Sequence, residues 1–249
     1  MFDRIVQDLG AVLLASLRLM PVFAFSPPFT LVKVPATVRV VVVLALANAM
    51  VVGGPVPPVI REVGFILSAL GELALGIGMA LTLQLAFAAI AMAGRALDIQ
   101  AGFGLAFIID PTTKAQTPLI GAVFTYAAAA VFFATQAPHD LLAVLAASFD
   151  RVPLGTAFTP RDPGALLGFL GTVSIVAFGV VGLAVLTLFL IDLAIAMLSR
   201  TLPQMNVLVL GFQVKAMATL VLLPATLALA GAGIVRIVRL ALEAMLAMA

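Results

Sequence analysis

Six stretches of this chain run long and almost free of charge, and no water-soluble fold can hide that much apolar length. In order they are Ile5 to Phe25, Val40 to Ile60, Val63 to Ala93, Ala115 to Pro138, Ala165 to Ile191 and Ala216 to Val235. The first is broken by Arg18 and Pro21, and the third holds only Glu72. The second has no charge, but Gly53, Gly54, Pro55, Pro57 and Pro58 end its helix early. About 20 apolar residues cross a bilayer as a helix, so each run is a helical candidate. Strands are excluded, because the runs are long, rich in Ala and Leu, and lack period-two alternation.

Composition agrees. Of 249 residues, 64% are hydrophobic and 10% charged, against roughly 25% charged in a soluble domain. The mean hydropathy is +1.28. A soluble fold would expose far more contiguous apolar surface than monomers tolerate, so lipid or the apolar flank of a partner must cover it. The net charge is +2, with no run of like charges, so nothing marks a nucleic-acid partner. The absence of cysteine rules out disulfides and thiol chemistry within the chain. A signal peptide is not expected, since Arg18 interrupts the first run and no small-residue cleavage site follows.

Two features depart from an ordinary six-span bundle. Val63 to Ala93 is 31 residues and Ala165 to Leu198 is 34; as helices they would reach about 46 and about 51 Å, against a hydrocarbon core of about 30 Å. Such segments must tilt, kink or leave the bilayer. The loop charges also fail to orient the chain. Arg4, Arg61, Arg151, Arg161, Arg236 and Arg239 fall on one side of a six-span arrangement, and Lys33, Arg39, Arg95, Lys114, Arg200 and Lys215 on the other.

A boundary is expected between Arg151 and Gly164, where Pro153, Gly155, Pro160 and Pro163 cluster. It divides an N-terminal helical region, 1–160, from a C-terminal long helical hairpin, 161–249, turning at Leu202-Pro203-Gln204. No internal repeat is evident.

Catalytic signatures are missing. His139 is the one histidine, so paired-histidine metal sites cannot form within the chain, and HExxH, GxSxG and Walker A patterns do not occur. The expectation is no enzyme, no metal and no cofactor. Ionisable residues in apolar segments are the candidate sites, because a charge in lipid is costly. They are Arg18, Glu72, Arg95, Asp98, Asp192 and Lys215. Arg95 and Asp98 share a helix face and are expected to pair locally. Asp192 and Lys215 flank the Pro203 turn from opposite arms, where a hairpin would bring them together. Glu72 has no local partner, and burial against protein is expected for it.

Gln100 to Leu119, QAGFGLAFIIDPTTKAQTPL, is the most unusual segment. Pro111 and Pro118 block a helix, and Gly102 and Gly104 loosen the backbone. Phe103, Phe107, Ile108 and Ile109 nevertheless make it apolar. Irregular apolar backbone at membrane depth requires enclosure by protein or a water-filled cavity, as a constriction would provide. An ordinary interfacial loop is the alternative.

Several of these residues stand in a recognisable order. The run Asp98-x-Gln100-x-Gly102-x-Gly104, then Asp110-Pro111 and Pro118-Leu119, resembles the FliR family of flagellar export proteins and its type III secretion counterparts. Pro35-x-x-x-Arg39, Gly71-Glu72 with Gly76, and His139 continue the match. So do Ser148-Phe149, Val152-Pro153-Leu154-Gly155, Ser199-Arg200, Pro203 to Val207 and Gly211-Phe212. Lys215 departs from the family, which often has a hydrophobic residue there. The resemblance implies an all-α integral membrane protein of long kinked helices and helical hairpins, one subunit of the export gate. Its partners would be FliP-like, FliQ-like and FlhB-like subunits. Region 1–160, including the loop 100–119, would behave as FliP-like and 161–249 as FliQ-like. The resemblance also implies that Gly104, Phe107, Ile108, Ile109, Asp110, Pro111 and Pro118 belong to a pore-closing loop, and that unfolded flagellar or effector proteins pass through. Arg18, Glu72, Arg95, Asp98, Asp192, Arg200 and Lys215 would serve assembly. A secondary transporter is the alternative that the intramembrane carboxylates allow.

Overall fold

The computed structural model describes residues 2–32, 34–53, 64–103, 119–156, 163–201 and 207–248. Among these there are eight α-helices and no strand: α1 Phe2–Phe25, α2 Pro27–Leu31, α3 Ala36–Val52, α4 Phe65–Gln100, α5 Leu119–Ala134, α6 Ala137–Arg151, α7 Pro163–Thr201 and α8 Val207–Met248.

Proline sets several boundaries. Pro27 disfavours helical backbone at the preceding residue, and Ser26 is extended at φ −72°, ψ 135°. This ends α1 and lets α2 begin on Pro27-Pro28, where the missing N–H costs nothing. Pro138 opens α6 in the same way, with Asp140 in its first turn and Arg151 in its last, the signs the helix dipole favours. Pro21 and Pro224 lie inside α1 and α8, and both helices run on through them.

The overlong helices expected from sequence are present and longer still. α4, α7 and α8 have 36, 39 and 42 residues, or about 54, 58 and 63 Å. By length and hydropathy α1, α4, α7 and α8 are each able to cross a membrane. The other two expected spans are modified. α3 has only 17 residues. The fourth run ends as a helix at Ala134, and the chain bends by 74° between α5 and α6, which together make at most one broken span. Among the described residues, the six helical candidates are therefore replaced by four spans, or five with the bent pair.

The chain forms two compact units, each discontinuous in sequence. The first comprises Met1–Ala86, Phe132–Leu170 and Val238–Ala249. Its core is built from Leu14 and Leu19 of α1, Val43 of α3, Leu75, Met79 and Leu83 of α4, and Leu141, Leu145 and Phe149 of α6. In α6 the buried residues Ala137, Leu141, Leu145, Ser148 and Phe149 form one stripe at helical spacing. An aromatic cluster of Phe23, Phe29, Phe132 and Phe133 adds tilted and edge-to-face contacts at 4.8–6.2 Å. Arg39 of the Pro35-x-x-x-Arg39 motif donates to the carbonyls of Val34 at 3.1 Å and Ala24 at 2.7 Å, tying the start of α3 to the end of α1.

The second unit comprises Phe87–Val131 and Gly171–Ile237. It packs Phe87, Ile90 and Leu97 of α4, Ile120 and Phe124 of α5, Val173, Val181 and Leu188 of α7, and Ile234 and Ile237 of α8. Much of α7 and α8 is left uncovered. Only 22% of the apolar window of each is buried, against 56% for α4.

Candidate functional site

The first polar cluster lies wholly inside the first unit. Arg18 on α1 is fully buried, and Glu72 on α4 is 3% exposed. The guanidinium grips the carboxylate with two parallel bonds, Nε to Oε2 at 2.6 Å and Nη2 to Oε1 at 3.0 Å, the fork geometry that makes arginine–carboxylate pairs strong. Its remaining donors are also used. Nη1 donates to the Ser148 carbonyl at 2.9 Å and the Ser148 hydroxyl at 3.3 Å, and Nη2 donates to the Val152 carbonyl at 2.8 Å. All five guanidinium N–H groups thus have acceptors. The Phe149 ring lies 4.3 Å from the guanidinium carbon and adds a cation–π contact. Glu72 also accepts from the Gly155 amide at 3.3 Å, while the Ser68 hydroxyl donates to the Gly155 carbonyl.

Small residues make this arrangement possible. A Cβ on Gly76 would overlap the Arg18 carbonyl, so α4 meets the backbone of α1 directly. Gly155 has φ +81°, the left-handed backbone that glycine adopts without strain. It sits in the turn after α6 that brings Val152 and Gly155 to the ion pair. Glu72 is thus buried against protein, as expected. Its partner lies 54 residues away, which no local pattern could reveal. Ser148, Val152 and Gly155 were visible only as parts of the family resemblance; here they complete the cage around Arg18.

The second cluster lies in the second unit. Asp98 on α4 is 2% exposed. Its two oxygens accept from the amides of Ile120 and Gly121 in the first turn of α5, both at 2.9 Å. This corrects the expected pair with Arg95. The free amides at a helix N-terminus and its positive dipole end offer a buried carboxylate two matched donors, whereas Arg95 is exposed. Gln100, at the end of α4, donates from Nε2 to Asp192 Oδ2 on α7 at 2.8 Å. Lys215 of α8 pairs with the other oxygen of Asp192, so the expected pair across the two arms is present. It is less enclosed by its own chain than the Arg18 pair: the Lys215 and Asp192 side chains are 18% and 38% exposed.

Arg200 is exposed near the end of α7, and His139 with Asp140 is exposed at the start of α6. Of the expected loop set, Gly104, Phe107, Ile108, Ile109, Asp110, Pro111 and Pro118 lie outside the described residues, as does the Pro203 turn. Among the described residues, no group of three or more His, Asp or Glu side chains gathers as metal ligands.

Long apolar helices, braced inside by satisfied polar clusters and largely bare outside, define an all-helical integral membrane protein. Residues 9–241 match bacterial export proteins, family 1, and the chain belongs to that family. It is 32% identical over 227 residues to the flagellar biosynthetic protein FliR of Bacillus subtilis, covering 89% of this chain and 87% of the relative. Over 226 residues it is 27% identical to FliR of Aquifex aeolicus, with the same coverage of 89% and 87%. The surface presentation of antigens protein SpaR of Shigella flexneri is 25% identical over 203 residues, covering 80% of this chain and 78% of the relative. The protein is accordingly a structural component of the flagellar or type III export apparatus, located in the inner membrane at a flagellar or secretion basal body.

Proposed function

We propose that this subunit forms part of the channel wall of the export gate, through which unfolded flagellar or effector proteins cross the inner membrane. The observation that carries the reading, in a chain of this family, is the state of α7 and α8. They are 39 and 42 residues long, far beyond the length one bilayer requires, and their apolar windows are only 22% buried. A helix that bare and that long is suited to packing against further helical subunits, and FliP-like, FliQ-like and FlhB-like proteins are the partners proposed. On this reading 1–160 fills the FliP-like role and 161–249 the FliQ-like role.

The segment containing Phe107 to Ile109 and Pro111 is proposed to close the channel at rest. Its support is compositional: an apolar sequence broken by Pro111 and Pro118 needs an enclosed place, and an apolar constriction excludes ions by dewetting. The transporter reading loses its strongest motive. The bonding capacity of Arg18 is consumed by Glu72, Ser148 and Val152, which leaves Glu72 clamped rather than poised as a relay.

The test is to delete Ile108 to Thr113, confirm that the complex assembles, and measure ion conductance across the membrane. An assembled complex that conducts at rest is expected. An assembled complex as tight as the wild type would refute the sealing role.

A further inference from the structure

The sequence on either side of 104–118 is fastened to the helices in two different ways. Downstream, the described part of α5 starts at Leu119. Asp98 of α4 supplies acceptors there, with its two oxygens each 2.9 Å from one of the Ile120 and Gly121 amides. Both amides lie in the first described turn of α5, and N–H groups at a helix start are those a capping side chain ordinarily serves. One turn before Asp98, a Cβ on Gly94 would lie 2.7 Å from the Gly121 Cα. The two helices therefore touch backbone to backbone where the carboxylate bonds, and glycine at 94 permits the approach. Upstream, Gln100 is tied to Asp192 and through it to Lys215. Gly102, at φ +85°, takes the left-handed turn that ends α4 beside the Phe212 ring.

We infer that Asp98 is a positioning residue: its carboxylate clasps the start of α5 onto the end of α4, holding the two flanks of the intervening segment side by side and so setting the resting tightness of the assembled complex. The link to tightness rests on the sealing role proposed above; the clasp itself does not. A buried carboxylate that spends both oxygens on another helix's first turn acts on spacing rather than on any passing substrate. Each bond lost from a charged acceptor shifts such an equilibrium by about tenfold or more.

The chain has no cysteine, so two introduced cysteines give unique spin-label sites. Ile99 and Leu119 suit, at 65% and 66% exposed on the two flanks. Label separation is read by pulsed electron resonance in the membrane-inserted chain, and resting conductance in the complex. The wild type is expected to give one narrow separation and a tight complex. Asp98→Ala should broaden the separation to longer values and raise the resting conductance about tenfold or more. Asp98→Asn, nearly the same size but with one matched acceptor, should fall between. Tyr126→Phe, exposed on α5, should match the wild type in both readouts. The separation can be measured whether or not a variant assembles, so lost assembly does not shelter the inference. A wild-type separation in both Asp98 variants would overturn the clasp. A broadened separation in a complex that stays tight would overturn its link to tightness. If deletion of Ile108 to Thr113 leaks while Asp98→Ala neither broadens nor leaks, the clasp fails and the sealing role stands. If the deletion stays tight while Asp98→Ala broadens, the sealing role fails and the clasp stands.

Discussion

Arg18 and Lys215 are both paired with carboxylates, yet their surroundings predict opposite behaviour. Arg18 and Glu72 are dry, so removing one partner strands a buried charge, at a cost of about 3–5 kcal/mol. Glu72→Leu is expected to lower the stability of the folded chain in detergent by about that amount. Adding Arg18→Leu should cost less than the sum of the two single changes, because no charge is left unpaired. Full recovery is not expected, since the Ser148 and Val152 carbonyls then lose their donor. A double-mutant cycle from denaturant unfolding measures this, and strict additivity would contradict the buried-pair account. Lys215→Met breaks a pair that its own chain leaves partly open on both sides, and the expected loss in detergent is about 1 kcal/mol or less. That loss should shrink in high salt, while the Glu72→Leu loss should not. Melting curves at two ionic strengths separate the cases.

Glycine shows the same dependence on context along the helices. Gly76 lies where α4 meets the Arg18 backbone, and a side chain there has no room. Gly76→Ala must push α1 from α4 and is expected to destabilise by about 1–3 kcal/mol, the usual cost of overpacking. Gly179 on α7 faces open space within the chain. Gly179→Ala should therefore stabilise the isolated chain by about 0.5–1 kcal/mol, since alanine loses less freedom in a helix. Unfolding midpoints of the two variants in the same detergent give the comparison. Equal effects would mean that the close crossing at Gly76 does not hold.

For the protein as a whole, the bare lengths of α7 and α8 govern its behaviour outside the membrane assembly. Apolar helices so little covered by their own chain are stabilised by whatever binds the folded form. Co-expression with FliP-like and FliQ-like subunits is expected to raise the yield of monodisperse folded protein several-fold over expression alone, measured by size exclusion in mild detergent. Equal yields would count against partner packing on these helices.

What the sequence determined by itself is the class of solvent and the class of element. Apolar runs of this length with so few charges require helices in lipid, because every backbone N–H must be satisfied within its own segment. Their excess length was legible too, and so was the Asp192–Lys215 pair, since a hairpin brings residues on either side of its turn together. The order of motifs from Asp98 to Phe212 carried the family. What only the tertiary structure decided is how the buried charges are satisfied. Arg18 finds Glu72 across 54 residues and Ser148 across 130, distances at which periodicity carries no information. Asp98 bypasses Arg95, three positions away, for two amides on another helix. The fourth apolar run ends as a helix at Ala134, and past Thr135 and Gln136 the chain bends by 74° into α6. For both buried charges, the partner taken was the one that packing brought within hydrogen-bonding distance in the protein interior.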